Sequence, residues 1–372
     1  MKLNLDVFLP KLALVNSVVN TKSVIPIQGD FLLHTADGKL YVNASDGENT
    51  VSVSVEPMEY SDLCVCVNAN DFFKALSNLR GEIIDVLLNE EKHLLRCMYK
   101  SGYFQIPYEY NKMSAAVLEI QEDAYHIDKS IDAADLSEAI SKTEIASAED
   151  NVRPQFNGVH FDFKRDGMVA VATDANKMSK FVTNIKTDED TPGFTIQKKS
   201  AHILTSLMET EDSVNMKVGD RTVLFKGEGF TMTTRLSEHT YPNYDMLIPT
   251  DNTLSAIVNK ESILNAIKRV SPMGSEKDEL LKMTFGTNNI IIEAEDAMFG
   301  KLAKEKLECK YVGEQISVGV NSRNVVALIQ AVDDEEFEFS FKSSRNAIVI
   351  KPLTELRERS TMLIMPLVLK SM

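Results

Sequence analysis

Hydrophobic positions along this chain follow two different spacings, one typical of helices and one of strands. Leu5, Phe8 and Leu12 recur at intervals of three and four residues, which places them on one face of a helix. Segments such as Glu336–Phe341 alternate strictly, as strands do in an antiparallel sheet that is covered on one side. Helical spacing predicts six helices, over the ranges Leu5–Lys22, Asn70–Arg80, Ala133–Ser147, Lys198–Glu209, Asn259–Arg269 and Ser322–Val332.

One arrangement of these elements occurs three times. A short apolar run closes on Ala44-Ser45-Asp46, on Ala172-Thr173-Asp174 and on Ala294-Glu295-Asp296, and the final Asp residues are 128 and 122 residues apart. One predicted helix precedes each of these marks and another follows it. A period of about 125 residues is the size of a compact domain and far exceeds that of a solenoid repeat.

The repeat predicts the fold class and the domain organisation. We expect an α+β protein with three repeated domains, each with two helices packed on antiparallel sheet. Acidic, polar stretches around Gln121-Glu122-Asp123 and Pro249–Asn252 separate the copies. The predicted domains are therefore 1–123, 124–250 and 251–372.

Composition indicates a soluble, cytoplasmic protein without a membrane segment. The 372 residues are 44% hydrophobic, enough for a core in each domain, and apolar runs stay below the 18 residues of a membrane-spanning helix. Four cysteines are too few for a disulfide framework, which points to a reducing compartment. Cys64 and Cys66 lie on one face of a predicted strand, where core packing is the preferred interpretation and half a metal site the alternative.

The search for catalytic chemistry predicts no catalytic residue, no metal ligand and no cofactor. The six histidines are scattered without metal-ligand spacing, and neither a Gly-x-Ser-x-Gly motif nor a phosphate-binding glycine loop is present in the sequence. Gly227-Glu228-Gly229 falls in a predicted hairpin, where it indicates a turn. Two alternatives stay open: a monomeric scaffold of repeated domains, and an enzyme with an active site between domains.

Charge is distributed unevenly along the chain. The net charge of −15 argues against wrapping of a nucleic acid by bulk attraction, which requires Lys and Arg to release counterions. The six predicted helices nevertheless carry eleven basic residues and only seven acidic ones. Solvated lysines are common on helices, so charge alone does not decide. A basic helical side with acidic sheet elsewhere would suit a protein whose inner surface touches DNA.

Four segments make the pattern specific: Arg153–Val159, Val169–Asp174, Tyr241–Pro249 and Met365–Leu367. In order and spacing, and together with the threefold repeat, they resemble the bacterial sliding clamp family, the beta subunit of DNA polymerase III, along the whole chain. The resemblance implies the DNA clamp fold, in which a head-to-tail homodimer of six domains forms a closed ring with helices lining the hole. Such a ring encircles duplex DNA without sequence specificity or catalysis and tethers the replicative polymerase.

The resemblance also implies two sites. The inner surface would face DNA through basic helix residues, for which the candidates are Lys22, Lys142, Lys198, Lys199, Lys268, Arg269 and Arg323. A hydrophobic cleft between the second and third copies would bind short peptide motifs of the DNA polymerase III alpha subunit, the clamp loader, other polymerases and repair proteins. Its predicted residues are Arg153, Phe156, Thr173, Ala175, Asn176, Lys177, Met178, Pro242, Met246, Leu247, Asn321, Asn324, Met365, Pro366 and Leu367.

The chain differs from the family at this cleft. After Thr173-Asp174 the family commonly has Gly-His-Arg-Leu, whereas this chain has Ala175-Asn176-Lys177-Met178. The usual end is Arg-Leu, and here Val368-Leu369 is followed by Lys370-Ser371-Met372. We therefore expect the cleft itself to be present, whereas the resemblance does not define its peptide preference.

Overall fold

A computed structural model describes residues 1–21, 23–110, 125–149, 152–165, 167–185, 191–354 and 357–369. All six predicted helices are present. The first ends at Asn16, earlier than predicted, and the third ends at Thr143, where a 3-10 turn over Glu144–Ala146 follows. The helices are Leu5–Asn16 (α1), Ala69–Ser77 (α2), Ala133–Thr143 (α3), Lys198–Met208 (α4), Lys260–Val270 (α5) and Ser322–Gln330 (α6).

Twenty-five strands lie within the described residues. They are Lys2–Asn4 (β1), Asp30–Ala36 (β2), Lys39–Ser45 (β3), Asn49–Val55 (β4), Cys64–Asn68 (β5), Ile83–Asn89 (β6), Leu94–Tyr99 (β7), Gly102–Glu109 (β8), Ile127–Asp132 (β9), Gly158–Lys164 (β10), Gly167–Thr173 (β11), Lys177–Val182 (β12), Thr191–Gln197 (β13), Ser213–Val218 (β14), Thr222–Lys226 (β15), Phe230–Arg235 (β16), Leu254–Asn259 (β17), Leu280–Gly286 (β18), Asn289–Asp296 (β19), Lys301–Glu308 (β20), Lys310–Tyr311 (β21), Ile316–Asn321 (β22), Glu336–Phe341 (β23), Ile348–Pro352 (β24) and Ser360–Ile364 (β25).

Each helix follows directly on a strand, and the sequence marks the junction. At five of the six junctions an Asn or Asp side chain accepts a hydrogen bond from a backbone N–H in the first turn of the helix, which satisfies a donor that has no partner inside the helix. The strands β3, β11 and β19 end at the three repeated marks. The capping residues are Asn4, Asn68, Asp132, Asn259 and Asn321.

The chain forms two compact units that cut across the sequence repeat. The first comprises Met1–Ser137 and His202–Glu238, and the second comprises Glu138–Ala201 and His239–Met372. Two of the three unit boundaries therefore fall inside α3 and α4, and the third lies between Glu238 and His239. The domain limits at 123 and 250 stay predictions, and the acidic stretch Gln121-Glu122-Asp123 lies outside the described residues.

The first unit holds one twelve-stranded antiparallel sheet in the order β1-β6-β7-β8-β5-β2-β3-β4-β16-β15-β14-β9. Its continuity depends on β4 and β16, which pair Val53 with Phe230. Strands from the first and second predicted domains thus share a single sheet. Within β5, Cys66 is buried but Cys64 is exposed, so predicted core packing is wrong for Cys64.

The second unit holds a nine-stranded sheet, β13-β10-β11-β12-β25-β24-β23-β17-β21, and a four-stranded sheet, β20-β19-β18-β22. Pairing of β12 with β25, with Met178 opposite Leu363, joins strands of the second and third predicted domains. Helices α5 and α6 bury Ile263, Ile267 and Leu328 in a core with aromatic residues of β18 and β23. None of the helices in the described ranges has the length and apolar content needed to cross a membrane.

Candidate functional site

The predicted cleft residues all belong to the second unit. The C-terminal segment contacts two of the other segments that carry them. Met362–Ile364 pairs on both sides as part of β25. The chain leaves the sheet at Met365, whose N–H donates to Asn176 O at 2.8 Å. Leu367 N–H then donates to Gly319 O at 2.8 Å. A Cβ at Gly319 would lie 2.8 Å from Leu367 O, so this crossing requires glycine.

A tight turn joins β11 to β12 beside this segment. Thr173 Oγ1 accepts from Ala175 N–H at 3.1 Å and donates to Lys177 O at 2.7 Å. Asp174 Oδ1 accepts from the N–H groups of Asn176 and Lys177, both at 2.8 Å. Ala175 has φ +72°, in the left-handed region where the family's common glycine carries no steric penalty. Lys177 is buried, and its ammonium is paired with Asp174 Oδ2 at 2.5 Å. Its charge is therefore neutralised inside the turn.

A third segment, Tyr241–Leu247, lies on the outer face of β10 and is here called the strap. The Tyr241 ring stacks on His160, with centroids 4.3 Å apart and planes at 3°, and meets Phe156 edge-on at 6.5 Å. Arg153 in turn lies 5.8 Å from the Phe156 ring centroid. These ring contacts connect Arg153 and Phe156 to the strap.

The strap ends in a 3-10 turn over Tyr244–Leu247 that exposes its apolar residues. The Met246 side chain is 82% exposed and Leu247 is 49% exposed, whereas Tyr244 is buried and packs with Met178 and Leu363. Burial is the main cause that raises the pKa of Tyr244, and its hydrogen bond to a carboxylate adds to it. The hydroxyl is therefore a donor at neutral pH.

Asn321 and Asn324 complete the predicted set at the start of α6. Asn321 Oδ1 accepts from Asn324 N–H at 3.0 Å, and its amide donates to Glu279 at 3.2 Å. Gly319, which forms a bridge with Leu367 of the C-terminal segment, lies two residues before the capping residue Asn321. Met365, 44% exposed, and Leu367 thus join Met246 and Leu247 as apolar side chains left open to solvent. Exposed apolar side chains that form a contiguous patch are typical of an interaction surface.

The basic helix residues behave differently from one another. The Lys142 side chain is only 12% exposed, and its Nζ donates to Ala331 O at 2.7 Å and to Asp333. This placement argues against direct contact of Lys142 with phosphate. Lys22 lies outside the described residues. Lys199 and Lys268 are exposed on α4 and α5.

The remaining three candidates are exposed to differing degrees and carry acidic partners. Lys198 pairs with Glu149 and lowers the pKa of that carboxyl, chiefly by hydrogen bonding. Arg269 donates to both carboxylate oxygens of Glu305, at 3.0 and 2.5 Å. Surface pairs of this kind are weak and can exchange for phosphate. The last pair joins Arg323 to Glu279 at 2.6 Å.

Sequence reasoning missed His160, Asp162, Tyr241, Tyr244 and Gly319 as parts of this site. A signal for two of them was present, because Val159 to Lys164 alternates apolar and polar residues, and so places His160 and Asp162 together on the polar face of a strand. Nothing local indicates that the strap would cover that face.

Comparison with known proteins identifies the family and the fold. Three models of the DNA polymerase III beta subunit match in order: the N-terminal domain at residues 1–110, the central domain at 130–243 and the C-terminal domain at 245–368. A beta sliding clamp from Treponema pallidum is 22% identical over 354 residues, 93% of this chain and 94% of that protein. The crystal structure of the DNA polymerase III subunit beta from Pseudomonas aeruginosa superimposes with a TM-score of 0.91 at 19% identity, covering 99% of this chain and 100% of the other. The Borrelia burgdorferi subunit beta, in complex with a natural product, gives 0.92 at 18% identity, with 99% of each chain covered.

Proposed function

The chain belongs to the DNA polymerase III beta subunit family, and from this premise we propose that it is a DNA sliding clamp that tethers the replicative DNA polymerase to its template. One observation carries the proposal: the three domain models match in their natural order and together span nearly the whole chain. The clamp acts without catalysis, as a cytoplasmic processivity subunit that needs no cofactor.

The working form is a head-to-tail homodimer that closes into a ring around duplex DNA. A head-to-tail contact closes only if the first domain of one subunit meets the third domain of the next. Strand β20 supports the third-domain side of this contact, because it ends the four-stranded sheet and leaves an edge open for pairing. Phe299 and Leu302, strongly exposed at its start, would be covered by the second subunit.

The ring holds DNA by linkage more than by contact. With a net charge of −15, the protein has little bulk attraction for phosphate, and weak contacts permit sliding without sequence specificity. Lys199 and Lys268, exposed on α4 and α5, are candidates for such contacts. Lys198, Arg269 and Arg323 would exchange their acidic partners for phosphate when DNA is present.

The cleft binds short apolar peptide segments of the DNA polymerase III alpha subunit, the clamp loader and other polymerases and repair proteins. The exposure of four apolar side chains in the second unit supports this proposal: Met246, Leu247, Met365 and Leu367. Methionine suits a surface that accepts several partners, because its side chain is flexible and polarizable. Since Lys177 is neutralised by Asp174, apolar contacts dominate recognition in the turn.

Loading on circular DNA tests the topological part of the proposal. Protein placed on a nicked circle by its clamp loader should remain bound at a salt concentration that removes ordinary phosphate-contacting proteins. Cutting the circle should release it, because the ring then slides off an end. Equal salt-sensitive release from circular and linear DNA would show simple electrostatic binding and would overturn the proposed linkage.

A further inference from the structure

The polar face of β10 carries a chain of hydrogen bonds that leads to the strap. His160 Nδ1 shares a hydrogen bond with Thr195 Oγ1 at 2.9 Å, and His160 Nε2 bonds to Asp162 Oδ1 at 3.1 Å. The other Asp162 oxygen accepts from the Tyr244 hydroxyl at 2.6 Å. The Thr195 hydroxyl either donates or accepts, so the histidine keeps both partners in its neutral and its charged form. The chain thus links β10, β13 and the strap at neutral pH.

The backbone of β13 closes over this network at Gly193. A Cβ at Gly193 would lie 2.6 Å from His160 Nε2 and closer still to Asp162 Oδ1. Any side chain there would displace one of the two hydrogen-bonding partners. The network is therefore built into the sheet.

Ion pairs of Asp245 form a second attachment between the strap and the sheet. Asp245 accepts from Lys164 Nζ at 2.9 Å and from Lys180 Nζ at 2.6 Å, and the same two ammonium groups lie 4.9 and 5.3 Å from the Tyr244 ring centroid. Burial opposes ionisation of Asp162, but hydrogen bonds from His160 and Tyr244 outweigh it, and the pKa of Asp162 falls below its usual range. Asp162 is consequently an ionised acceptor at neutral pH.

The strap carries two kinds of side chain, one bound to the sheet and one exposed to solvent. Tyr241 and Tyr244 point to the sheet and are held there, whereas Met246 and Leu247 are left open to solvent. A wall that is already held in place spares a bound peptide the entropy of ordering it. This entropic advantage is lost if the strap is free to move, because the peptide must then order it on binding.

We propose that His160, Asp162 and Tyr244 are positioning residues that hold Met246 and Leu247 as a preformed apolar wall of the peptide cleft. The assignment rests on the proposed function, since it names the part of the same site that sets peptide affinity. The three residues act through the strap and not by touching the peptide.

Substitution of Tyr244 and Asp162 tests the assignment. Tyr244→Phe removes only the hydroxyl, and Asp162→Asn removes the charge while keeping the size. In each variant the Kd for a peptide from the DNA polymerase III alpha subunit should rise about tenfold, as expected for a lost hydrogen bond to a charged group. Exchange of the Ile248 amide hydrogen, which bonds to Asp245 O at the end of the strap, should accelerate as well.

Tyr311→Phe is the matched control. Tyr311 is fully buried in the same unit, and its hydroxyl donates to Glu314 O at 2.7 Å. Loss of this hydroxyl removes a tyrosine hydrogen bond of similar length, here to a neutral backbone carbonyl, at a position outside the strap. Peptide affinity and Ile248 exchange should both stay at the wild-type values.

A double-mutant cycle separates positioning from a general loss of stability. With Met246→Ala and Leu247→Ala already in place, Tyr244→Phe should change peptide affinity less than twofold, because the positioned side chains are gone. A full tenfold effect in that background would overturn the proposal, as would faster exchange with unchanged affinity, or unchanged exchange. If the wild-type protein bound no peptide, the proposed cleft would be wrong, and the exchange rates would still decide whether the network holds the strap.

Discussion

Replacing Lys142 with Met asks whether this lysine contacts DNA or stabilises the fold. Its Nζ reaches from α3 to the end of α6, where it donates to Ala331 O at 2.7 Å and pairs with Asp333. Lys260 binds the same helix end, through Gln330 O at 3.1 Å and Val332 O. Two cations thus meet the carbonyl groups at the negative end of the helix dipole. Lys142→Met keeps most of the side-chain volume and removes one of them.

The structure sets the size of the expected loss. The Lys142 side chain is 12% exposed, so its bond to Ala331 O is sheltered, and a hydrogen bond of this charged kind contributes about 1.5 to 3 kcal/mol. Asp333 is 55% exposed and regains water when the lysine is gone, so the ion pair adds little. We expect the free energy of unfolding of the second unit to fall by about 2 kcal/mol. For a unit of this size that corresponds to a melting temperature lower by roughly 4 to 8 °C.

Thermal unfolding and DNA loading are measured on the same samples. Lys268→Met, at an exposed position on α5, is the control and should change stability by less than about 0.5 kcal/mol. Lys142→Met should load on DNA as the wild type does at a temperature where it is folded. An unchanged melting temperature together with impaired loading would refute the reasoning and return Lys142 to the DNA-facing surface.

Four further predictions follow from the turn, the strap, the subunit contact and the chain end. Ala175→Gly should raise the free energy of unfolding by about 0.5 to 1 kcal/mol, because φ is +72° there; a lower denaturant midpoint would contradict this. The lowered pKa values of Asp162 and Asp245 mean that their stabilisation of the strap is complete above about pH 4 and is lost as pH falls through the folded-state values. The protection of the Ile248 amide, relative to its intrinsic exchange rate at the same pH, should therefore fall only in acid. Sedimentation should give a dimer of about twice 41.6 kDa, and a monomer at micromolar concentration would argue against the ring. Deletion of Met365–Met372 should abolish binding of the polymerase peptide and leave the dimer intact, whereas unchanged affinity would place the cleft elsewhere.

The amino-acid sequence by itself determined the elements and the repeat. Helical and alternating periods predicted six helices and strands such as β23, because burial of one face is a local requirement that repeats along the chain. Asn or Asp at the strand-to-helix junctions adds a second local signal, since the side chain satisfies the first free N–H groups of the helix. Segment order then sufficed to recognise the family.

Only the tertiary structure decided which distant groups meet. Pairing of β4 with β16 and of β12 with β25 distributes the second predicted domain over two units, and no local period records which sheet edges join. From the sequence, Lys142 is one more basic helix residue; only the structure shows that its ammonium donates a hydrogen bond to Ala331 O, 189 positions away. His160 and Asp162 likewise read as the solvent face of a strand, and the strap that covers them comes from beyond α4. Periodicity records which face of an element is buried, but the partner that covers it depends on how separate surfaces fit together.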